Sequence, residues 1–356
     1  MRVMHLVQCG PTTGGTVSHV ATQVTHQIAR GLKVAVVAGS DGVLTGHCRE
    51  AGADVFVDPT LLPVPVPGQP GDPAALLAAG AGWRPDLIHA HLMHAGFRGE
   101  ELSSAIGTPL LYTQHMYKPV DPFLEAALAT GAGFPVIAVA EFAQRAIAKF
   151  LGDAGRVHYV PNGVDVPSPS GFRLEPGAGP RVLYCGRLSP EKGADVAVLA
   201  FELILGQVPG AKLHLVGTGP DETLLRRLVS ALGIADHVRF HGSVPGALTA
   251  EVGADVLLAS SRGDAASLVV LEAMASGVPI VSTAVGGIPE LVRHEVDGLL
   301  VAPDNPHALA RAALNVLARE DRGAAMTTRA RDRHRELYTA ARMVDRTCAV
   351  YETVTR

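Results

Sequence analysis

Short apolar runs alternate with amphipathic stretches from one end of this 356-residue chain to the other. Runs such as Val3–Val7, Val34–Ala38 and Leu87–Ala90 are almost continuously apolar, which is typical of strands buried on both faces of a parallel sheet. Between the first two runs, apolar residues of Thr16–Leu32 recur every three or four positions, and Gly31 provides a stop signal. The alternation predicts the α/β class, with doubly wound parallel sheets that carry helices on both faces.

The length predicts two domains, because about 150 residues is typical of one. The stretch 166–180 (VPSPSGFRLEPGAGP) is rich in proline and glycine and has no periodicity, so it is predicted to link residues 1–165 to a second α/β series over 181–335. The final residues, 336–356, have a helical pattern. Two similar halves predict facing Rossmann-like domains with a cleft between them, and this cleft is the expected ligand site.

Composition excludes several classes of protein. The 30 Lys and Arg against 34 Asp and Glu give a formal charge of −4, so the chain lacks the basic surface expected of a nucleic-acid-binding protein. The uncharged, largely apolar stretch 126–140 is shorter and more interrupted than the ~20 apolar residues of a membrane span. No signal-peptide pattern opens the chain, and the four cysteines form no CxxC pair. A cytoplasmic protein without stable membrane association is expected.

Two glycine-containing turns follow predicted strands and precede predicted helices. The first contains Gly14 and Gly15, and its glycines do not fit the GxGxxG dinucleotide pattern, so a simple tight turn explains it equally well. The second, Gly186–Gly193 (GRLSPEKG), carries Arg187 and Lys192 five residues apart. A guanidinium and an ammonium near a helix N-terminus suit a diphosphate that gains charge as it leaves.

A third candidate segment places two acids, separated by seven intervening residues, around the start of a helix predicted over 268–276. Asp264 lies in the preceding loop, where a carboxylate can bind the hydroxyls of a sugar. The free N–H groups around Ser267, Leu268 and Val269 can face phosphate oxygens. Glu272 could accept both hydroxyls of a ribose, although a solvated glutamate on the helix surface is the simpler interpretation. Its neighbours are apolar, which favours a buried carboxylate that needs a partner.

Several histidines follow predicted strands in the first half. His89, His91 and His94 could be interpreted as a metal cluster, but no carboxylate or cysteine follows at usable spacing. We therefore expect no metal, and a polar strand end in which His91 serves the acceptor side. His115 follows the predicted strand 110–113 and is expected to face the cleft; a histidine satisfied by backbone groups is the alternative.

These motifs resemble those of glycosyltransferase family 4, a family of retaining enzymes with the GT-B fold. The resemblance runs along nearly the whole chain, with the motifs in the family's order and spacing. In the second half they are GRLSPEKG (186–193), VGTGP (216–220), ADVLLASS (254–261), LEAMASGVPIVST (271–283), GGIPELV (286–292) and DGLLVAPDNP (297–306). In the first half they are Gly14-Gly15, DLIHAH (86–91), YTQH (112–115) and VPNGVD (160–165).

The resemblance implies a hexosyltransferase that moves a sugar from a nucleotide diphosphate sugar, expected to be a UDP-sugar, to a hydroxyl of the acceptor with retention. It also implies that no metal or other cofactor is needed, and the sequence has no Asp-x-Asp pair to hold a metal–diphosphate complex. Few basic residues follow His91 and Lys118, which favours a small soluble acceptor over a membrane lipid. A homodimer is compatible with the sequence.

Each motif residue receives a role from the same resemblance. The catalytic residues would be His115, Arg187, Lys192 and Asp264, with His91 and His115 on the acceptor side. The donor-binding residues would be Gly14 and Gly15 near the diphosphate, Arg187 and Lys192 on it, Asp264 on the sugar, Ser267, Leu268 and Val269 on phosphate, Glu272 on the ribose, and Gly219, Ser243 and Val244 at the base. The helix in 336–356 would return to the first domain.

The sequence departs from the family pattern in three places. Asp264 replaces the usual glutamate, Ala265-Ala266-Ser267 replaces a Gly-Phe-Gly type of sequence, and Ala140-Glu141 stands where a serine is common. Two other functions therefore remain open. A nucleotide-sugar epimerase would use the same fold, and a non-catalytic protein would bind the sugar nucleotide without transferring it.

Overall fold

Two parallel sheets with the same strand order organise the chain. The computed structural model describes residues 1–10, 14–62, 73–166 and 171–356. It divides into one unit of Met1–Gly163 with Ala340–Arg356 and a second unit of Val164–Thr339. The predicted α/β class with two doubly wound, Rossmann-like sheets is confirmed. Within the described residues, no helix combines the length and the apolar character needed to cross a membrane.

The sheet of the first unit has seven parallel strands in the order β3-β2-β1-β4-β5-β6-β7. Its strands are β1 (Arg2–Val7), β2 (Lys33–Ala38), β3 (Asp54–Val57), β4 (Leu87–His91), β5 (Leu110–Gln114), β6 (Val136–Ala138) and β7 (Val157–Tyr159). Its first six helices are α1 (Gly15–Ala29), α2 (Val43–Ala51), α3 (Pro73–Trp83), α4 (Met93–Ile106), α5 (Pro122–Thr130) and α6 (Glu141–Leu151). The order reverses between β1 and β4, so the loops after these strands are the expected ligand site of this sheet.

The sheet of the second unit has six parallel strands in the order β10-β9-β8-β11-β12-β13. Its strands are β8 (Arg181–Cys185), β9 (Lys212–Val216), β10 (Val238–Gly242), β11 (Val256–Ala259), β12 (Ile280–Thr283) and β13 (Leu299–Val301). Its helices are α7 (Ala194–Gln207), α8 (Glu222–Ala231), α9 (Leu268–Ser276), α10 (Ile288–Leu291), α11 (Pro306–Leu317) and α12 (Glu320–Leu337). Here the order reverses between β8 and β11, and the loops after these two strands carry the second and third sequence motifs.

The last helix, α13 (Ala340–Val354), belongs to the first unit. Its buried residues Met343, Val344 and Tyr351 pack in one apolar cluster with Val3 and Leu87 of the sheet. The unit boundaries fall at 163/164 and 339/340, against the predicted 165 and 336. The burial of apolar side chains on α13, which is the main stabilising contribution of such a helix, fixes it to the first sheet.

The predicted linker, 166–180, differs from a free connection in its described part. Leu174 is buried in the core of the second unit, and its N–H donates to the carbonyl of Val252 at 2.9 Å. Phe172 is packed against the same core. Because prolines and glycines surround these two apolar residues, the segment has no periodic pattern from which their burial could be predicted. Residues 167–170 lie outside the described part of the chain.

Candidate active site

In the second unit, the turn after β8 packs tightly against the turn after β9. A Cβ atom on Gly217 would lie 1.9 Å from the carbonyl oxygen of Gly186, and one on Gly219 would lie 2.2 Å from that of Leu188. The N–H of Leu188 also donates to the carbonyl of Thr218 at 3.0 Å. Gly219, predicted at the base pocket, is therefore a glycine because two backbones meet there. The contact fixes the start of the GRLSPEKG turn.

The other end of that turn is locked to the loop after β11. Gly193 has a φ of +65°, and a Cβ there would lie 2.1 Å from the carbonyl oxygen of Ser260. The Ser260 hydroxyl donates to the Gly193 carbonyl at 2.6 Å, and the Tyr184 hydroxyl donates to the Arg187 carbonyl at 3.0 Å. Lys192, next to Gly193, is thereby held beside the loop that carries Asp264.

Lys192 and Asp264 form a direct ion pair. Lys192 Nζ lies 2.6 Å from Asp264 Oδ2, and Asp264 is buried while the lysine side chain is one-third exposed. The Asp264 backbone is also fixed, because its carbonyl accepts the N–H of Gly287 at 3.2 Å. A Cβ on Gly286, whose φ is +53°, would lie 1.7 Å from the same carbonyl oxygen. The GGIPELV motif thus supports the loop that carries Asp264.

Arg187 differs from Lys192 in its surroundings. Its side chain is exposed, and it makes no hydrogen bond or ion pair with any residue that the structure describes. Of the two cations predicted on the turn after β8, the Lys192 ammonium therefore forms an ion pair, and the Arg187 guanidinium forms none with the described residues. A guanidinium in this state retains all its donors for an anionic ligand.

Arg262 is a structural residue of the site that sequence reasoning missed. Its guanidinium donates to both carboxylate oxygens of Asp195 at 2.9 and 2.7 Å, to Asp304 at 2.5 Å and to the Pro190 carbonyl at 2.7 Å. Its own N–H donates to the Glu191 carbonyl at 2.8 Å. These bonds raise the pKa of Arg262 further above its usual value. The signal in the sequence was its place two residues before Asp264.

Helix α9 begins where the sequence predicts it. Ser267 is its N-cap, and the serine hydroxyl accepts the N–H of Val270 at 3.5 Å. The N–H groups at the first helical positions, Leu268 and Val269, lie in the first turn, where no intrahelical acceptor exists. The N-terminus of α9 thus carries the partial positive charge expected of a phosphate-binding helix start.

Glu272, one turn further along α9, is a partly buried carboxyl group without a partner. It makes no hydrogen bond or ion pair with any described residue, and burial raises its pKa from 4.5 to about 7. The thiol of Cys185 at the end of β8 is close enough that burial and the Glu272 charge raise the pKa of this thiol to about 12. A carboxylate kept in such an environment costs stability, which is characteristic of a binding site.

Ser243 and Val244 follow β10 at the same edge of the sheet. Gly242, with a φ of +69°, turns the chain, and its carbonyl accepts the N–H of Gly217 at 2.7 Å. Ser243 is exposed and Val244 is half-buried against the core. The strand order therefore brings the predicted base-pocket turn next to the turn after β9, which in turn packs against the turn after β8.

The first unit gathers a different set of residues at its own strand reversal. Five buried or partly buried imidazoles form one cluster: His5, His19, His89, His91 and His115. Their elements are β1, α1, β4 and the end of β5. We call this group the histidine cluster. It joins residues that are far apart in sequence but share one edge of the sheet.

Hydrogen bonds connect the cluster ring to ring. His5 Nδ1 lies 2.9 Å from His91 Nε2, and His91 Nδ1 lies 3.0 Å from His115 Nε2. His89 bonds to Thr113 Oγ1 at 2.6 Å and to the hydroxyl of Tyr351 on α13 at 2.7 Å. Burial is the largest cause that lowers the pKa of each ring, to about 4 for His5. The cluster is therefore uncharged at neutral pH.

The structure changes the predicted roles of the histidines. His94 is outside the cluster, because Leu92 has a φ of +72° and the chain leaves the strand before it; its ring faces the Leu62 carbonyl. His91 is completely buried, so an acceptor would meet only His115, which is half-exposed. We therefore assign His91 a positioning role behind His115.

The glycine turn before α1 lies partly outside the described residues. Pro11, Thr12 and Thr13 are not described. Gly14 has a φ of 179°, an extended conformation open to any residue, and Gly15 opens the helix. A Cβ on Gly14 would meet nothing within 4 Å. Local backbone geometry does not demand glycine at 14, which leaves close approach of a ligand as the predicted reason for it.

Ala140 occupies the N-cap of α6, and an alanine side chain cannot accept a cap hydrogen bond. The serine common in the family at this place would supply the missing cap, which is typically worth about 1 kcal/mol. The departure noted in the sequence therefore has a structural consequence in the stability of α6.

Comparison with known proteins agrees with the fold and the motifs. The family model described as Glycosyltransferase Family 4 matches residues 13–167, and the one described as Glycosyl transferases group 1 matches residues 172–333. A D-inositol 3-phosphate glycosyltransferase from Actinosynnema mirum is 35% identical over an alignment of 285 residues, and the match covers 68% of each chain. The structure of Anabaena HepE in complex with UDP-glucose has a TM-score of 0.83 at 21% identity, and the match covers 99% of this chain and 100% of that one.

A second relative differs in its substrates. A GDP-mannose-dependent alpha-(1-6)-phosphatidylinositol monomannoside mannosyltransferase from Mycobacterium tuberculosis (strain CDC 1551 / Oshkosh) is 35% identical over 217 residues. The match covers 54% of this chain and 55% of that protein, so the chain spans little more than half the length of this relative. The fold and its structural neighbours define a GT-B glycosyltransferase architecture. The chain belongs to glycosyltransferase family 4, as the sequence motifs predict.

Proposed function

We propose that this protein transfers a hexosyl group from a nucleotide diphosphate sugar to a hydroxyl group of an acceptor, with retention of the anomeric configuration. The observation that carries the proposal is the carboxyl group of Glu272, which has no partner among the described residues and lies one turn into a helix whose N-terminus is at the strand reversal of the second sheet. Two hydroxyls of a ribose would satisfy this carboxylate, and the N–H groups at the helix start would bind phosphate.

Lys192 and Asp264, which form an ion pair, would bind different parts of the nucleotide sugar. An ammonium has three N–H donors and a carboxylate has two oxygens, so each partner retains bonding capacity after the 2.6 Å contact. Lys192 and Arg187 would bind the diphosphate and stabilise the charge that develops as it leaves. Asp264, held by Lys192, would accept hydroxyls of the transferred sugar.

Because these cations and the α9 N-terminus supply positive charge, the proposed transfer needs no metal ion. Asp264 is committed to Lys192 and to the sugar, so we favour front-face attack. In this mechanism the acceptor hydroxyl bonds to the anomeric carbon as the bond to the diphosphate oxygen breaks, and that oxygen takes the hydroxyl proton. His115 would orient the acceptor.

For the donor we propose a UDP-sugar, supported by the fold shared with HepE, whose structure holds UDP-glucose. GDP-mannose is the second candidate, because the mycobacterial relative at 35% identity is named for it. For the acceptor we propose a small polyol, supported by the name of the inositol 3-phosphate relative. The phosphatidylinositol mannoside in the name of the mycobacterial relative makes a lipid acceptor the competing candidate.

A two-stage experiment tests the proposal. The shift in melting temperature with UDP, GDP and ADP identifies the nucleotide, because a ligand that binds the native state stabilises it. The corresponding labelled nucleotide sugars are then incubated with polyols and with lipid acceptors. We expect transfer, or slow donor hydrolysis without acceptor, and an α-linked product from an α-linked donor. Epimerised donor would support the epimerase, and binding without turnover would support a non-catalytic protein.

A further inference from the structure

Part of the histidine cluster has the composition of a transition-metal site. One ring nitrogen from each of His19, His91 and His115 lies within 4.8 Å of the others. The ring centroids of His19 and His115 are 4.7 Å apart, and those of His91 and His115 are 5.3 Å apart. We call these residues the outer trio. Three imidazoles are the ligand set of catalytic-type zinc sites, which keep a fourth position open.

The hydrogen bonds of Tyr351 define which nitrogens of the cluster carry protons. The amide groups of Gln23 and Gln27 both donate to the Tyr351 hydroxyl, at 3.1 and 2.9 Å. These two bonds use the lone pairs of the oxygen, so the hydroxyl proton is donated to His89 Nδ1 at 2.7 Å. With its amide nitrogen directed to Tyr351, Gln27 presents its carbonyl oxygen to His5.

This orientation propagates along the chain of rings. Gln27 Oε1 accepts a proton from His5 Nε2 at 2.9 Å, so His5 Nδ1 is an acceptor. His5 Nδ1 therefore receives the N–H of His91 Nε2 at 2.9 Å. A neutral imidazole with Nε2–H has its lone pair on Nδ1. His91 thus presents a lone pair at Nδ1, toward His115 Nε2 at 3.0 Å.

His91 is consequently held in the way that is typical of a metal-binding histidine. Metal-binding histidines typically donate the other ring N–H to a fixed acceptor, which orients the ring and raises its basicity. For His91 that acceptor is His5, itself held by Gln27. His19 adds a separate observation: its Nδ1 is buried and outside normal hydrogen-bond geometry with the described residues, although Gln23 and Asn162 lie near enough to its ring to oppose the lowering of its pKa by burial.

A second trio, His5, His89 and His91, also has nitrogens within 4.8 Å of one another. Every ring nitrogen of these three is already engaged in a hydrogen bond, and all three side chains are fully buried. Binding there would break several bonds in a closed space. In the outer trio the bond between His91 and His115 is displaced, the side chains of Gln23 and Asn162 interact with His19, and His115 is partly exposed.

We propose that His19, His91 and His115 bind a divalent transition-metal ion such as Zn²⁺, with His91 bound through Nδ1 and His115 through Nε2. The proton that His115 Nε2 donates to His91 in the metal-free cluster moves to His115 Nδ1 when the ion binds. The ion takes three neutral nitrogen ligands at about 2.0–2.1 Å and keeps an open position for water. This site departs from the expectation of no metal, which rested on the spacing around His89, His91 and His94, on the missing Asp-x-Asp pair and on the family resemblance. If the proposed function holds, an ion on His115 competes with the acceptor, so the metal acts as an inhibitor.

Calorimetric titration of Zn²⁺ into the full chain tests the site, using protein without a polyhistidine tag and freed of metal by a chelator. We expect one bound ion, and a loss of about 100-fold or more in affinity in His19→Gln and in His115→Gln. Affinity should stay within threefold in His89→Gln, which removes a member of the other trio. His47→Gln, an exposed histidine on α2, is the matched control and should also bind normally.

Circular dichroism and melting temperature in the absence of metal show whether each variant folds. If a glutamine variant does not fold, Co²⁺ absorption of the unmodified protein provides the second measurement, with a tetrahedral spectrum expected. Normal Zn²⁺ affinity in folded His19→Gln would overturn the proposal, as would loss in His89→Gln alone or a Co²⁺ spectrum of an aqueous ion. Because binding is measured directly, failure of the transfer activity would leave this test intact.

Discussion

The reversal points of the two sheets have the same topology and opposite chemistry. In the second unit, the loops after β8 and β11 carry charged groups: the Lys192–Asp264 pair, the exposed Arg187 and the unpartnered Glu272. In the first unit, the corresponding edge carries neutral imidazoles linked by hydrogen bonds. The shared strand order determines where a ligand site forms, and the side chains on the loops determine what it binds. A charged diphosphate fits the second edge, and a neutral hydroxylated molecule fits the first.

The largest expected effect is on turnover at the charged edge. Lys192→Ala removes a cation that stabilises the leaving diphosphate, so we expect kcat to fall about 10²–10³-fold while the fold is retained. Initial rates with the identified donor, together with circular dichroism, measure both. Lys149→Ala, an exposed lysine on α6, is the control and should keep its rate. Near-normal turnover in Lys192→Ala would remove Lys192 from the site.

The support beneath Asp264 is the next most sensitive feature. In Gly286→Ala, the new methyl group would meet the Asp264 carbonyl oxygen at a φ of +53°, so we expect a loss of about 2–4 kcal/mol in unfolding free energy and reduced turnover. Gly206→Ala in α7 is the matched control, since its added Cβ meets nothing within 4 Å. That variant should be slightly more stable, by up to about 1 kcal/mol. Equal stabilities in urea unfolding would contradict the packing described for Gly286.

Glu272 predicts a stability cost that depends on pH. Burial raises the pKa of Glu272 in the folded protein from 4.5 to about 7, so ionising this carboxyl costs more free energy in the folded state than in the unfolded state. The protein therefore has its full stability below pH 4.5, loses stability as the pH rises, and bears the whole cost above pH 7. Without ligand, Glu272→Gln should match the parent protein near pH 4.5 and exceed it by about 2–3 kcal/mol at pH 8. Unfolding curves at both pH values measure the difference. The exposed Glu175→Gln should show no such dependence, and a pH-independent difference for Glu272→Gln would refute the burial argument.

The neutral edge should respond to the loss of hydrogen bonds. Tyr351→Phe removes the hydroxyl shared by Gln23, Gln27 and His89, so we expect a loss of about 1–3 kcal/mol in unfolding free energy. Because the network is uncharged, this loss should be the same at low and high salt. Tyr117→Phe, an exposed tyrosine, provides the comparison and should be neutral. A cost that disappears in salt would mean that the cluster carries charge.

Much of the fold and part of the site follow from local sequence patterns. The continuous apolar runs locate the strands, and the predicted helix 268–276 is α9, with Ser267 as its cap. Lys192, Asp264 and Glu272 were proposed on two segments that follow strands of the second sheet, and the family resemblance assigned them to one donor site. Their family was predicted from the order of the motifs and is confirmed.

The histidine cluster could not be predicted from local sequence patterns. His5 and His19 lie more than sixty residues before His89, and only the pairing of β1 with β4 and the packing of α1 bring them together. His94 was grouped with His89 and His91 by spacing alone, but the turn at Leu92 separates it from them. Arg262 was missed because its partners, Asp195 and Asp304, lie on other elements. Local patterns predict elements, while contacts between distant elements require the tertiary structure.

The most direct test of the central claim is the affinity of Glu272→Gln for the nucleotide diphosphate sugar. Calorimetry would compare this variant with the parent protein and with Glu175→Gln at pH 8, where the parent carboxylate is ionised. We expect Glu272→Gln to bind the nucleotide sugar at least tenfold more weakly, because an amide cannot accept two ribose hydroxyls as a carboxylate does. The affinity of the control, Glu175→Gln, should not change. Equal affinity in all three proteins would show that the donor binds elsewhere.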